Sequence, residues 1–322
     1  MTWLVTGGAG YIGAHVVRAL ADAGLEPVVL DDLSSGFASF VPDGVPFVQG
    51  TLLDAPLVEH TLTDHAVRGV IHVAGFKYAG VSVSRPLHTY EQNVTGTITL
   101  LRAMRTTGVD RIVFSSSAST YGTPDVDVVT EETPTAPESP YGESKLIAEW
   151  LLRDCGRAYG TRHTSLRYFN VVGSGSDDLF DASPHNLFPL VFDALLRGET
   201  PRINGVDYPT PDGTCVRDYV HVSDMAACHV EAAKILDGGG TLAPVYNLGS
   251  GTGSSVREIM DAIRDVTGID FEPTVAERRP GDPARIVADG LLAARDLGWE
   301  MRHDLRAMVS SAWSARQHAA HA

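Results

Sequence analysis

The chain has 322 residues, 43% hydrophobic and 20% charged, enough to bury the core of one large α/β domain or of two domains. A formal charge of −15 argues against non-specific attraction to nucleic acid or to an anionic membrane, so any anionic ligand needs local arginines, lysines or helix N-termini. Cys155, Cys215 and Cys228 lack the spacing and even count of a disulfide framework; with no leader pattern and no run of ~20 apolar residues, the expectation is a soluble cytoplasmic protein.

In chain order, short β-branched runs alternate with amphipathic patterns. WLVT is followed by a helix over Tyr11 to Ala23; PVVL, PFVQ, VIHVA near Val70, RIVFSSS near Ile112 and TSLRY near Leu166 follow as further strands. Strands alternating with helices predict a Rossmann-like, doubly wound α/β fold with a mainly parallel sheet. After Asn170 the alternation lapses into GSGSDDLFDASP and less regular elements, which predicts a smaller C-terminal α/β substrate domain. The expected division is 1–171 for cofactor and 172–322 for substrate, with 215–237 returning to the first sheet as a further strand and helix.

The glycines of VTGGAGYIGAHVV, Gly7, Gly10 and Gly13, lie between the first strand and the first helix. There they allow a tight turn, a close approach of phosphate to backbone, and close packing of helix on strand, with the helix N-terminus facing a pyrophosphate. The second strand ends in Asp31 and Asp32, placed to accept from ribose hydroxyls and to repel a 2′-phosphate, which favours NAD over NADP. A second glycine run, LGSGTGSSV, lacks the following acid and reads as a loop capped by Ser254 or Ser255.

FSSSASTYG brings Ser115 to Ser117 to the carboxyl rim of the fifth strand, and SPYGESK places Tyr141 and Lys145 four residues apart on one face of the next helix. A tyrosine with a pKa of about 10 is a poor base at neutral pH, but an adjacent ammonium and a cationic nicotinamide both favour the phenolate. A serine hydroxyl adds a proton path. Such a trio can take a proton from an alcohol while NAD takes the hydride; an exposed Tyr–Lys pair on a helix surface is the plainer alternative.

GGAGYIG, the Ser117, Tyr141 and Lys145 set, and NVTGT around Asn93 together resemble the extended short-chain dehydrogenase/reductase family. YFNVVG, NLFP, DYPTPDGTCVRDYVHVSD, YNLGSGTGSSV and RRPGD resemble its UDP-glucose 4-epimerase branch, and the likeness covers nearly the whole chain. The resemblance implies an NAD-dependent isomerase that inverts carbon 4 of a UDP-sugar through a 4-keto intermediate. It implies Tyr141 as base, Lys145 as its tuner and ribose anchor, and Ser117 as hydroxyl partner. Gly7, Gly10, Tyr11, Ile12, Gly13, Asp31, Asp32, Leu52, Ala74, Lys77, Asn93 and Tyr168 would then attend the cofactor. Asn170, Asn186, Leu187, Arg217, Arg279 and Asp282 would hold the nucleotide sugar, with no metal. The resemblance further implies a homodimer, through helices expected over Leu87 to Thr107 and Tyr141 to Tyr159.

The sequence departs from the branch at several points. Ala118 and Ser119 follow Ser117 where relatives that dehydrate or decarboxylate a sugar carry an acid. Thr51 replaces an aspartate that contacts adenine, with Asp54 nearby, and Asn204 replaces an aromatic set against the base. Val81 replaces a glutamate in the run KYAGVS, which leaves UDP-glucuronic acid open as an alternative substrate; Ile286 takes the sugar-size position. A different class, a non-catalytic NAD-sensing protein on the same fold, is opposed by the intact Tyr141 and Lys145.

Overall fold

The computed structural model describes residues 1–278 and 283–321. Strands β1 (Thr2–Thr6), β2 (Glu26–Asp31), β3 (Phe47–Gln49), β4 (Gly69–His72), β5 (Arg111–Ser115) and β6 (Arg162–Tyr168) form the sheet. Between them run helices α1 (Tyr11–Asp22), α2 (Ala55–Asp64), α3 (Ala79–Ser84), α4 (Pro86–Tyr90), α5 (Gly96–Thr107) and α6 (Pro140–Tyr159). The second half contributes β7 (Asn170–Val172), α7 (Leu187–Leu196), β8 (Arg202–Asn204), β9 (Val216–Arg217), β10 (Tyr219–His221), α8 (Val222–Asp237) and β11 (Val245–Leu248). Beyond them lie α9 (Val256–Thr267), α10 (Leu291–Leu297) and α11 (Leu305–His321).

Seven parallel strands form one sheet in the order β11-β6-β5-β4-β1-β2-β3. The continuous apolar runs of β1, β4 and β5 suit strands covered on both faces, and every residue of β4 and β5 is buried. One core, including Trp3, Val16, Leu20, Met225 and Tyr246, lies under α1 and α8; the other, including Leu4, Val58, Leu100 and Leu152, lies under α2, α5 and α6. The strand order reverses between β1 and β4, so their carboxyl ends splay apart and leave a crevice there. A third core, including Phe188, Phe192, Ile263 and Trp313, packs α7, α9 and α11 together beside that crevice.

Three local features differ from the sequence reading. Segment 215–237, expected to return to the first sheet as a strand and a helix, returns only its helix: α8 packs under the sheet, whereas β10 pairs with β7 and β9 with Arg285–Ile286, outside the seven strands. VYNL, not assigned as a strand, pairs with β6 as β11 and extends the sheet. The stretch expected as one helix over Leu87 to Thr107 contains a π-helical turn, Glu91–Thr95, between α4 and α5. Asn93 sits in that turn with its amide fixed to both the Phe76 backbone and Ser144, and a side chain anchored on its neighbours is a physical reason for the irregular ladder. Among the described residues, no helix is long and apolar enough to cross a membrane.

Candidate active site

A cleft of about 840 Å³ opens at the carboxyl ends of the strands. Its walls include Gly7, Gly10, Tyr11, Ile12, Gly13, Asp31, Asp32, Leu52, Ala74, Lys77, Tyr141, Lys145, Tyr168, Asn170, Asn186, Leu187 and Arg217. Ser117 and Asn93 are buried and bond two residues of that wall, Tyr141 and Phe76. Arg279 and Asp282 lie outside the described residues.

The dinucleotide end is built by backbone. Gly7 has φ +72, a left-handed turn, and a Cβ on Gly13 would lie 2.0 Å from the Gly7 carbonyl oxygen, so only glycine lets α1 start this close to the loop. The α1 N-terminus has no side-chain cap and no acid in its first turn, leaving its amides for an anion. Asp31 accepts from Ala9 N at 3.0 Å and Leu33 N at 2.8 Å. Desolvation raises its pKa, while the amides of Leu33, Ala9 and Gly10 pull the other way. A phosphate-sized cradle that a Cβ would fill, beside an acid suited to a ribose, fits NAD. Asp54 is spent as the N-cap of α2, accepting from Leu57 N at 3.1 Å, whereas Thr51 faces the cleft.

The chemical end is built by β5 and α6. Ser139 caps α6 and Pro140 opens it, which fixes where its first turn presents Tyr141. Ser82 of α3 accepts from Tyr141 N at 3.1 Å, satisfying an amide that the helix leaves open. The Lys145 ammonium donates to the Ser115 carbonyl at 2.8 Å and lies 4.8 Å from the Phe114 ring centroid and 5.9 Å from that of Tyr141. Burial lowers its pKa to about 8, against the nearby Glu149 carboxylate.

Desolvation raises the Tyr141 pKa, and the hydrogen bond from Ser117 opposes it. Burial therefore outweighs the hydrogen bond in setting this phenol. The sequence could give the Tyr–Lys spacing but not the enclosure. Tyr168 lies close enough that a charged Tyr141 raises its pKa, a second contributor after burial.

The opposite wall belongs to the second half. α7 begins at Asn186, again with no side-chain cap and no acid in its first turn. Asn186 donates to Asp181 at 2.7 Å, Asn170 to the Asp218 carbonyl at 3.1 Å, and Arg217 to the Val216 and Pro283 carbonyls at 2.9 and 2.7 Å. Asn204 also faces the cleft, whereas Val81 sits in α3 away from the wall and Ile286 pairs in register with Arg217. Arg278 bonds Asp207 at 2.6 Å near the surface.

Sequence reasoning passed over Tyr78, Phe180, His185, Arg202 and Arg316, which line the same cleft. Tyr78 and His185 meet edge to face at 4.9 Å, joining the two walls. The one available signal was the unusual tyrosine after Lys77 in KYAGVS.

The pattern recurs in known proteins. The profile of the NAD dependent epimerase/dehydratase family matches residues 3–249. A UDP-glucose 4-epimerase of Azospirillum brasilense is 46% identical over 317 residues, covering 97% of this chain and 90% of that protein. The crystal structure of UDP-glucose 4-epimerase from Brucella ovis in complex with NAD superposes with a TM-score of 0.93 at 41% identity, covering 98% of each chain. A UDP-glucose-4-epimerase from Stenotrophomonas maltophila, with bound NAD and formylated UDP-arabinopyranose, gives 0.94 at 38% identity over 100% of each. With a profile spanning most of the chain and relatives aligned almost end to end, this chain belongs to the NAD dependent epimerase/dehydratase family.

Proposed function

We propose that the chain is an NAD-dependent UDP-glucose 4-epimerase, interconverting UDP-glucose and UDP-galactose. The observation that carries this reading is one cleft that holds a base set, Ser117, Tyr141 and Lys145, between two uncapped helix N-termini, one for each diphosphate. NAD, when bound, accepts a hydride from carbon 4 of the sugar and returns it to the other face, leaving no net redox change.

The chain's own residues handle the proton and the geometry. Tyr141 takes the proton of the 4-hydroxyl and later gives it back, with the Ser117 hydroxyl bonded to the phenol as the bridge. Lys145, fixed on the Ser115 carbonyl, supplies positive charge next to the developing phenolate and a donor for the nicotinamide ribose. Gly7, Gly10, Gly13 and the α1 N-terminus take the dinucleotide pyrophosphate; Asp31 and Asp32 take the adenosine ribose. Asn170, Asn186, Leu187 and Arg217 hold the UDP portion, Arg217 by forked contacts to phosphate, and the family resemblance adds Arg279 and Asp282. Burial of the reacting alcohol in a narrow site strengthens each of these interactions relative to water.

Residues 1–171, backed by α8, mainly serve the cofactor and the rest of 172–322 the substrate, with Asn170 and Arg217 reaching the substrate from the border between the two. The working unit is a cytoplasmic homodimer joined through α4, α5 and α6, on which Leu87 and Trp150 are exposed. The test is to give purified protein UDP-galactose without added NAD and to separate the nucleotide sugars by chromatography. UDP-glucose is the expected product; its absence from cofactor-loaded protein rejects the assignment. The sugar-acid alternative left open by Val81 is separated by the same assay run on UDP-glucuronic acid. Sedimentation tests the dimer.

A further inference from the structure

The three serines that end β5 and the start of its loop are each bonded to one residue on one stripe of α6. Ser117 bonds the Tyr141 phenol and the Ser115 carbonyl accepts from Lys145 at 2.8 Å. The Ser116 hydroxyl donates to Glu149 at 2.5 Å. Residues 141, 145 and 149 follow the i, i+4, i+8 rule of a single helix face, so the third rung stands directly behind the other two.

Glu149 is not a solvated helix acid. It is 6% exposed, and its second partner, Arg167 of β6, is 4% exposed. Arg167 grips it with both arms of the fork, Nε at 2.9 Å and Nη2 at 2.6 Å. The same guanidinium lies 4.8 Å from the Tyr121 ring centroid, and the Tyr121 hydroxyl donates to Asn247 at 2.8 Å. Taking two charges this far out of water is expensive, and an apolar pair of similar size would hold the fold about as well. A purely structural role therefore leaves the choice of ions unexplained.

We infer that Glu149 is a positioning residue for the reaction: locked between Ser116 and Arg167, its carboxylate keeps Lys145 charged and seated beneath the Tyr141 phenol. This rests on the epimerase reading for its consequence, not for its geometry. The other groups facing Lys145 and Glu149 do not supply that negative charge. His72 of β4 feels Lys145 and stays neutral, His229 of α8 is bonded to Ser115 at 2.9 Å and is also held neutral by burial, and Tyr141 and Tyr168 have raised pKa values. Arg167 and Lys145 are cations, and Glu131 is turned toward the Asn247 amide at 2.7 Å. Burial is the larger influence on Lys145 and, with Glu149 opposing it, leaves the pKa at about 8.

The experiment compares Glu149→Gln, Glu149→Asp, Arg167→Met and the double variant Glu149→Gln with Arg167→Met, each purified with its cofactor. The double variant removes both charges and keeps the volume, so it tests the idea even where the single Gln variant fails to fold. Two readouts are taken: the pH profile of kcat, and titration of the Lys145 Nζ by ¹⁵N nuclear magnetic resonance, which needs no turnover. In the Gln variant the Lys145 midpoint and the alkaline limb of kcat move to lower pH by about one unit or more, a tenfold change in the charged fraction, and Asp restores both; the double variant, which also loses the opposing Arg167 charge, moves the same way relative to Arg167→Met alone. A Lys145 midpoint unchanged in the Gln variant, or unchanged in the double variant relative to Arg167→Met alone, overturns the inference, whatever happens to thermal stability. If the unaltered protein epimerises nothing, the epimerase reading fails, and the resonance titration alone still decides the role of Glu149.

Discussion

Replacing Lys145 with Met removes the charge beside the phenol while keeping the length of the side chain. The ammonium is 5.9 Å from the Tyr141 ring centroid. With an effective dielectric of ~20, two unit charges at that separation interact by about 2.8 kcal/mol, worth roughly a hundredfold in the phenolate fraction at fixed pH. Burial already raises the Tyr141 pKa, so the variant starts from a phenol that ionises poorly at neutral pH. The sign follows: the acid limb of kcat moves to higher pH, and turnover at pH 7 falls by about a hundredfold. Because the unaltered lysine itself loses its charge above a pKa of about 8, the deficit should shrink as pH rises past that value. The assay is conversion of UDP-galactose at saturating substrate, sampled from pH 6 to pH 10 and resolved by chromatography. A loss of equal size at every pH would refute the electrostatic reasoning and leave Lys145 as a cofactor anchor only.

Tyr141→Phe should cut kcat by roughly 10²–10⁴ while the protein still purifies with NAD, read from nucleotide absorbance after denaturation; full activity would move the base elsewhere. Gly13→Ala places a Cβ 2.0 Å from the Gly7 carbonyl oxygen, so α1 must retreat from the loop. It should cost about 1–3 kcal/mol of stability and most of the bound NAD, as calorimetry and absorbance will report. Acid should destabilise the fold through buried neutral histidines. Burial lowers His72 and His221 to about 3 and His15 and His229 to about 4, all below the unfolded value of about 6.5. As pH falls below about 6.5 only the unfolded chain takes up these protons, so each costs roughly 1.4 kcal/mol per pH unit, visible as a falling Tm between pH 6.5 and 5.

Where backbone sterics set the structure, the sequence was legible. The glycine loop and its acid announce themselves because only glycine satisfies the turn at Gly7 and the contact at Gly13, and β1, β2, β4 and β5 because strands buried on both faces run largely apolar. β11 was missed because VYNL is short and carries a polar Asn247 that is buried beside Tyr121. The π-helical turn was missed because helical periodicity says nothing of an asparagine tied to a loop that precedes it. At the site, the Tyr–Lys spacing was visible, whereas the raised phenol pKa depends on walls brought in from α3 and β6. The contact between Tyr78 and His185 joins residues far apart in the chain, and no local pattern encodes it.

The most direct test of the proton and hydride chemistry uses UDP-galactose carrying deuterium at carbon 4, incubated with the purified protein in ordinary water without added NAD. The account predicts UDP-glucose with the deuterium still on carbon 4, since the hydride leaves and returns within one closed cleft while only the hydroxyl proton passes through Tyr141. Deuterium lost to solvent, or no conversion by protein shown to contain NAD, would contradict it.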